Sequence, residues 1–271
     1  MTQDIWLVKH PYLQRMADLE ALIDAALAEV SIARARVPSW DDYISDFDAG
    51  IPLLLSSQVA IDFRDIEKVL TSLVEALALK QLPGKLAQDC RTLEAELHSD
   101  LGSPRKALAW LLDNRSFTPK NPGLLRYLGW TVLARYLCPV VEAFNGWRDE
   151  ERWLRPYCPT CGALAAMAQL VGTDPGRLRF LSCGCCRSRW RYRRTGCPFC
   201  QSEDDHRLSV VAVEGEAGLR IDYCEACSGY IKTYEGQGSE SVLLSDWTSL
   251  HLDIIARDRG LMRCAGSLYQ L

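Results

Sequence analysis

The sequence predicts a multidomain α+β protein, in which an all-α N-terminal domain precedes two tandem four-cysteine modules and a C-terminal helix. Three observations predict this class. Apolar residues recur at helical spacing through the first 150 residues, four Cys-x-x-Cys pairs follow in two sets of two, and a further apolar-periodic segment lies after them. The predicted division of the chain is 1–150, 156–194, 195–240 and 241–271.

The helical prediction depends on stripes of apolar side chains spaced three and four residues apart. One stripe covers 12–36 and a second covers 58–80. Asn121 and Pro122 are a good start for a last long helix, which Pro139 should kink or end. We found no catalytic pattern in this region, so we interpret it as a helical scaffold or a partner-binding surface.

Two Cys-x-x-Cys pairs about twenty residues apart are typical of a four-thiolate metal site. This spacing occurs twice, with 21 residues between the pairs of the first set and 23 between those of the second. The predicted ligands are Cys158, Cys161, Cys183, Cys186, Cys197, Cys200, Cys224 and Cys227. The sets predict two rubredoxin-like or zinc-ribbon-like modules that hold two metal ions per chain. Iron and zinc both accept four thiolates, so the spacing leaves the metal open.

Short apolar runs between turn residues predict the strands of these modules. Strands are predicted at 163–171, 178–182, 208–213, 219–223 and 228–232. Residues 243–257 predict an amphipathic helix, which would suit either an internal core or a dimer contact.

Four cysteines stand outside the predicted ligand sets. Cys185 is a third cysteine in the second knuckle, and the repeat alignment makes it a spare. Cys90 and Cys138 lie on apolar helical faces and are predicted to be small core residues, while Cys264 has no partner in the pattern.

The four histidines show no metal-ligand spacing. His10 and His98 are predicted to be surface or locally bonded residues. His206 and His251 would serve as ligands only if a cysteine pair were incomplete, and every pair is complete.

Apolar segments and cysteine pairing indicate the cellular compartment that we expect. The first ten residues contain Asp4 and lack the apolar core of a secretory signal. No segment approaches the roughly 18–20 apolar residues of a membrane span. Paired cysteines in a reducing compartment indicate metal or redox chemistry, so we expect a cytoplasmic protein.

The patterns of several enzyme classes are missing. No His-x-Glu precedes a cysteine pair, no Ser–His–Asp set stands out, and there is no phosphate-binding glycine loop. Four thiolates also leave a tetrahedral ion without an open position for substrate. We therefore predict that the protein is not an enzyme. A thiol–disulfide enzyme is the competing class, and it predicts reactive free thiols.

An arginine-rich run follows the first cysteine set. Residues 151–200 carry nine Lys and Arg against two Asp and Glu. The candidate partner-binding residues are Arg187, Arg189, Arg191, Arg193 and Arg194. Their alternation with Trp190 and Tyr192 is what a nucleic-acid stacking groove would use. It would equally place the aromatic rings in a core and the cations toward water or an acidic partner. The acidic pI of about 5.7 argues against nucleic acid.

The order of these motifs resembles one family. A helical N-terminal region, CPTCG, LxCxxC followed by Trp190, CPFC and YCxxCxxYIK together resemble the formate dehydrogenase accessory protein family, FdhE. The likeness covers nearly the whole chain and is most specific over 157–232. Cys185 departs from the pattern, because it adds a third cysteine to the second knuckle.

The resemblance implies a cytoplasmic, non-catalytic factor needed to make active respiratory formate dehydrogenase. Such a factor acts on the molybdenum- or selenium-containing catalytic subunit before its twin-arginine export. The resemblance also carries the ligand role over to the same eight cysteines, and it favours iron of the rubredoxin type over zinc.

Overall fold

The computed structural model describes residues 2–30, 34–59, 61–80, 82, 84–112, 117–173, 176–216, 218–236 and 245–269. The chain forms two compact units. The unit that we call the cysteine unit comprises Met1–Leu13, Asp42–Ser56 and Trp147–Ser267, and the helical unit comprises Gln14–Asp41, Ser57–Gly146 and Leu268–Leu271.

Helices dominate the first part of the chain and strands the second. In the described residues, α-helices lie at Gln3–Lys9 (α1), Gln14–Glu29 (α2), Ile44–Ala49 (α3), Arg64–Ala78 (α4), Gly84–Leu97 (α5), Ser103–Leu111 (α6), Pro122–Trp147 (α7) and Leu250–Asp258 (α8). Strands lie at Ala165–Val171 (β1), Leu178–Cys183 (β2), Arg189–Tyr192 (β3), Leu208–Ala212 (β4), Leu219–Cys224 (β5), Gly229–Glu235 (β6) and Met262–Arg263 (β7). This order confirms the predicted fold class.

Helix α4 illustrates how the apolar stripe builds the helical unit. Its buried residues Ile66, Leu70, Leu73 and Leu77 recur at steps of three and four, so they share one face of the helix. That face packs against α5, α6 and α2. The predicted helix at 58–80 therefore exists, and it begins at Arg64.

Helix α7 starts where the sequence predicted. The Asn121 side chain caps it by accepting a hydrogen bond from the Leu124 N–H at 2.9 Å. The helix then continues through Pro139 to Trp147, so the proline does not end it. A proline removes one backbone hydrogen bond, whereas the flanking Leu137 and Val140 are fully buried and hold the helix in place.

The strands of the two predicted modules join in one sheet. Its order is β3-β2-β1-β6-β5-β4, and β7 pairs with β6. Neighbours within each module are antiparallel, whereas β1 and β6 pair in parallel and connect the modules. The five predicted strands all occur, each with its observed ends within three residues of the predicted ones.

Two N-terminal segments belong to the cysteine unit. After α3, the N–H groups of Leu53 and Leu54 donate to the carbonyl oxygens of Pro159 and Thr160 at 2.9 and 2.8 Å. These bonds fix the loop that carries the first cysteine pair. Segments 1–13 and 42–56 thus belong to the same unit as the strands.

The C-terminal helix α8 covers the second half of the predicted 243–257 segment. A 3₁₀ turn at Asp246–Ser249 leads into it. Leu243 and Leu244 lie outside the described residues. Among the helices of the described part, none has the length and apolar character needed to cross a membrane.

Candidate metal centres

The first cysteine group forms where two knuckles meet. Cys158 and Cys161 precede β1, while Cys183 ends β2 and Cys186 lies in the turn after it. The antiparallel pairing of β1 with β2 brings the two knuckles together. All four Sγ atoms lie within 4.8 Å of one another.

The sulfur distances of this group fit a tetrahedral ion. Cys158 Sγ lies 3.4 Å from Cys186 Sγ, and Cys161 Sγ lies 3.4 Å from Cys183 Sγ. A metal–sulfur bond of about 2.3 Å places tetrahedral sulfurs about 3.8 Å apart, so only small side-chain shifts are needed to admit the ion.

Backbone donors point at the sulfurs of the first group. The Thr160 N–H lies 3.4 Å from Cys158 Sγ, and the Cys185 N–H lies 3.3 Å from Cys183 Sγ. Such donors stabilise thiolates and orient them toward an ion. Gly162 permits the knuckle because its φ of +80° lies in the left-handed region.

Burial makes the first group dependent on a cation. Cys158 is fully buried, and burial raises the pKa of its thiol well above the ordinary value. A bound divalent ion would supply the positive charge that compensates a buried thiolate. The buried Arg148 guanidinium also interacts electrostatically with Cys158 and Cys186, which favours an anionic four-thiolate group.

The second group repeats this arrangement between β4, β5 and β6. The Sγ–Sγ distance is 3.8 Å both for Cys197 and Cys227 and for Cys200 and Cys224, which is the tetrahedral value. The Phe199 N–H lies 3.4 Å from Cys197 Sγ. The donor set and its spacing fit a metal ion here as well.

The two groups differ in exposure. Three of the four cysteines in the first group are buried, whereas in the second group Cys200 is exposed and Cys227 is partly exposed. A backbone N–H from Ser202 lowers the pKa of the Cys200 thiol. Solvent therefore reaches the second group more readily than the first.

The remaining cysteines lie outside both groups. Cys185 contributes its backbone N–H but is not part of the four-sulfur cluster. Cys90 is buried, as predicted. The prediction for Cys138 was wrong: it is exposed, because it lies on the outer face of α7, and its thiol contacts the Glu142 carboxylate at 3.2 Å. Cys264 is partly exposed.

The arginine-rich run forms β3 and its flanks. Trp190 and Tyr192 are buried, with 1% and 2% of their surface exposed, so neither ring is available to stack on a base. Arg189 lies over the Phe180 ring at 3.9 Å. The alternation therefore places the aromatic rings in the core.

The cations of this run differ in their surroundings. Arg191 pairs with Glu151 and Arg193 pairs with Glu203. Arg187 and Arg194 are exposed at the two ends of β3.

The structure contains a third cluster of ligand-type side chains, which the sequence did not predict. His10, Glu216 and His251 come together in the cysteine unit, with one ligand atom from each within 4.8 Å of the others. His10 was expected to be a surface or locally bonded residue. It does bond locally, to Trp6, but only 6% of it is exposed. No local pattern could have revealed the cluster, since His10 and Glu216 are 206 positions apart.

The similar proteins of known sequence that are described below are both FdhE homologs. No family model matches the chain. An FdhE homolog of Aquifex aeolicus is 30% identical over 136 residues, which are 48% of this chain and 48% of that protein. An FdhE homolog of Pseudomonas aeruginosa is 33% identical over 124 residues, which are 42% of this chain and 39% of that protein.

A solved structure extends the likeness to most of the chain. The crystal structure of the FdhE protein from Pseudomonas aeruginosa matches with a TM-score of 0.62 at 25% identity, over 95% of this chain and 88% of that one. In sequence, the match spans about half or less of the first curated relatives' length. These comparisons confirm the resemblance to the FdhE family.

Proposed function

We propose that this chain, a relative of the FdhE proteins in sequence and fold, is a non-catalytic accessory factor for the maturation of a respiratory formate dehydrogenase. The observation that carries the proposal is the structural likeness to an FdhE protein over 95% of the chain. The two four-cysteine groups in the order expected for the family support it. The site of action would be the cytoplasm, where the immature catalytic subunit is located before twin-arginine export.

The eight cysteines would hold two metal ions, with iron of the rubredoxin type favoured and zinc as the alternative. Either ion would join the two knuckles of its module and stabilise the strands that carry them. Iron would in addition supply a one-electron redox change. The exposure of Cys200 makes the second group the better candidate for a redox-sensing role.

A docking role agrees with the chemistry of the cysteine groups. Four thiolates complete a tetrahedral coordination shell, so neither group offers a position for substrate or water. The proposed activity is therefore binding, in which the cysteine unit presents a fixed surface to the immature catalytic subunit.

The basic run at 187–194 is the candidate partner-binding surface. We assign the first contacts to Arg187 and Arg194, because both are exposed and flank β3. An acidic segment of the catalytic subunit would be the complementary partner. Arg189, Arg191 and Arg193 would support this surface through their contacts within the cysteine unit.

Complementation tests the proposal. A strain that lacks its own FdhE protein should recover formate-dependent dye reduction when it expresses the wild-type chain. The double variant Cys158→Ser/Cys161→Ser should fail to restore activity and should no longer copurify with the catalytic subunit, because the first module loses two ligands. Restored activity with this variant would remove the docking role from that module.

A charge-reversal pair separates docking from folding. Arg187→Glu/Arg194→Glu should keep its metal content but lose copurification with the catalytic subunit. Arg91→Glu, an exposed change in the helical unit, is the matched control and should copurify like the wild type. Equal copurification of both variants would exclude the basic run as the docking surface.

A further inference from the structure

Two histidines and one carboxylate converge in the cysteine unit, apart from the cysteine groups. His10 follows α1, Glu216 lies in the loop between β4 and β5, and His251 lies in α8. His10 Nε2 is 2.7 Å from Glu216 Oε1, and His251 Nε2 is 2.8 Å from the same oxygen. The two imidazole rings stack with 5.2 Å between their centroids.

The contacts of His10 orient one of its nitrogens toward the cluster. Its Nδ1 lies 3.0 Å from the Trp6 carbonyl oxygen, which can only accept a hydrogen bond, so the proton of a neutral ring sits on Nδ1. The Nε2 lone pair then faces Glu216. A metal-binding histidine is typically held in this way, with its other nitrogen donating to a backbone carbonyl.

Stacking and a further hydrogen bond fix this ring. The indole of Trp6 stacks on the His10 ring, with 3.9 Å between the ring centroids and 25° between their planes. The indole N–H donates to the Thr248 carbonyl oxygen at 3.1 Å. The His10 ring is therefore held in place before any ligand arrives, which reduces the entropy cost of binding.

The hydrogen bonding of the cluster is incomplete. Glu216 has 8% of its side chain exposed, and within the described part of the chain its Oε2 has no hydrogen-bond partner. His251 Nε2 lies 2.8 Å from Glu216 Oε1, so a proton or a cation must lie between these two atoms, and His251 Nδ1 has no partner among the described residues. Buried polar atoms in native proteins are nearly always satisfied.

Protons on the Nε2 atoms of His10 and His251 would satisfy the contacts to Glu216 Oε1. They would leave His251 Nδ1 and the second carboxylate oxygen without a partner among the described residues. A divalent cation between the three side chains would satisfy both imidazole lone pairs and the carboxylate at once. The nearby Lys232 does not substitute for it, because its ammonium group is already paired with Asp246 and Asp253.

We propose that His10, Glu216 and His251 form a third metal site, which binds a divalent first-row transition-metal ion. Two imidazoles and one carboxylate are a donor set that zinc and iron(II) accept, and three protein ligands leave at least one coordination position open. Ligands about 2.1 Å from a common ion are about 3.0–3.4 Å apart, so the present 2.7 and 2.8 Å need to widen only slightly.

The site differs chemically from the cysteine groups. It has nitrogen and oxygen donors instead of sulfur, and its open position would be filled by water. The ring of Tyr12, which is 57% exposed, packs edge-on against both histidines and forms the outer wall of the cluster.

Cobalt(II) tests the proposal because its spectrum reports its ligands. Full-length protein with zinc in both cysteine groups is titrated with Co²⁺. We expect one Co²⁺ per chain, with weak visible d–d bands and without the intense sulfur-to-cobalt charge-transfer bands of a thiolate site. Paramagnetically shifted imidazole N–H signals in the NMR spectrum of the same unmutated sample should identify histidine ligands.

Variants assign the ion to the cluster. Glu216→Gln and His251→Ala should each weaken Co²⁺ binding about tenfold or more while both zinc ions are retained. His98→Ala, which removes an exposed histidine paired with Glu75, is the matched control and should bind Co²⁺ like the wild type. The proposal is wrong if wild-type protein binds no Co²⁺ beyond its sulfur sites, or if the cluster variants bind it unchanged.

Discussion

The Lys232 ammonium and the Asp246 carboxylate form a buried ion pair, with 2.6 Å between Nζ and Oδ1. Lys232 belongs to β6 and Asp246 opens the turn before α8, so the pair links the sheet to the C-terminal helix. Arg263 donates to both oxygens of Asp246 at 2.8 Å. Burial by itself would raise the pKa of Asp246, but the charges of Lys232 and Arg263 hold it at about 2.

We expect Asp246→Asn to lower the free energy of unfolding at pH 7 by about 3 kcal/mol, because the buried cations Lys232 and Arg263 then keep only Asp253 as a carboxylate partner. The depressed pKa means that this stabilisation is fully present above pH 3.8 and is lost as the pH falls toward about 2. Urea unfolding followed by circular dichroism between pH 2 and 7 measures both effects.

Asp258→Asn provides the control for this prediction, since Asp258 ends the helix α8 that follows Asp246 and is exposed. It should change stability by less than about 0.5 kcal/mol. If Asp246→Asn unfolds with the wild-type midpoint at pH 7, the ion pair contributes nothing to the fold.

Removal of metal should unfold the strands around the cysteine groups. The Cys158 thiol is fully buried, and a bound ion would join the four sulfurs that hold the two knuckles together. We expect a strong chelator under reducing conditions to increase amide hydrogen exchange across β1 and β2 while α4 remains protected. Cys138→Ser should behave like the wild type, because Cys138 is exposed and outside both groups.

The second cysteine group should lose its ion first. Cys200 is exposed, whereas Cys158 is buried, so chelator and alkylating reagent reach the second group more easily. We expect iodoacetamide labelling during chelation, followed by peptide mass mapping, to modify Cys200 before Cys158. Simultaneous labelling of both cysteines would show that the two groups open together.

Gly162 should be required for the first knuckle. Its φ is +80°, and a Cβ at this position would lie 3.2 Å from Pro52 Cγ. Gly162→Ala should therefore destabilise the cysteine unit by about 1–2 kcal/mol, through backbone strain and crowding. Differential scanning calorimetry of the metal-loaded protein measures the change.

Gly146→Ala is the matched control. Gly146 lies near the end of α7, and a Cβ there would meet nothing within 4 Å. Alanine favours a helix over glycine, so this variant should be neutral or slightly more stable. A Gly162→Ala protein as stable as Gly146→Ala would rule out a conformational requirement at the knuckle.

The sequence by itself determined the helical N-terminal region, the positions of five of the seven described strands and the two cysteine sets. The helical spacing of Ile66, Leu70 and Leu73 follows from 3.6 residues per turn. The cysteine signal is also local, because two cysteines three positions apart can bind one ion whatever the tertiary surroundings of their loop. Both patterns can therefore be recognised before the fold is known.

Only the tertiary structure decided which distant segments meet. The parallel pairing of β1 with β6 merges two modules into one sheet, and no pattern within either strand specifies that partner. His10, Glu216 and His251 come together across more than 200 residues, and sequence spacing carries no information about such contacts. The exposure of Cys138 and Cys200 was also decided at this level, since burial depends on the neighbours that packing supplies.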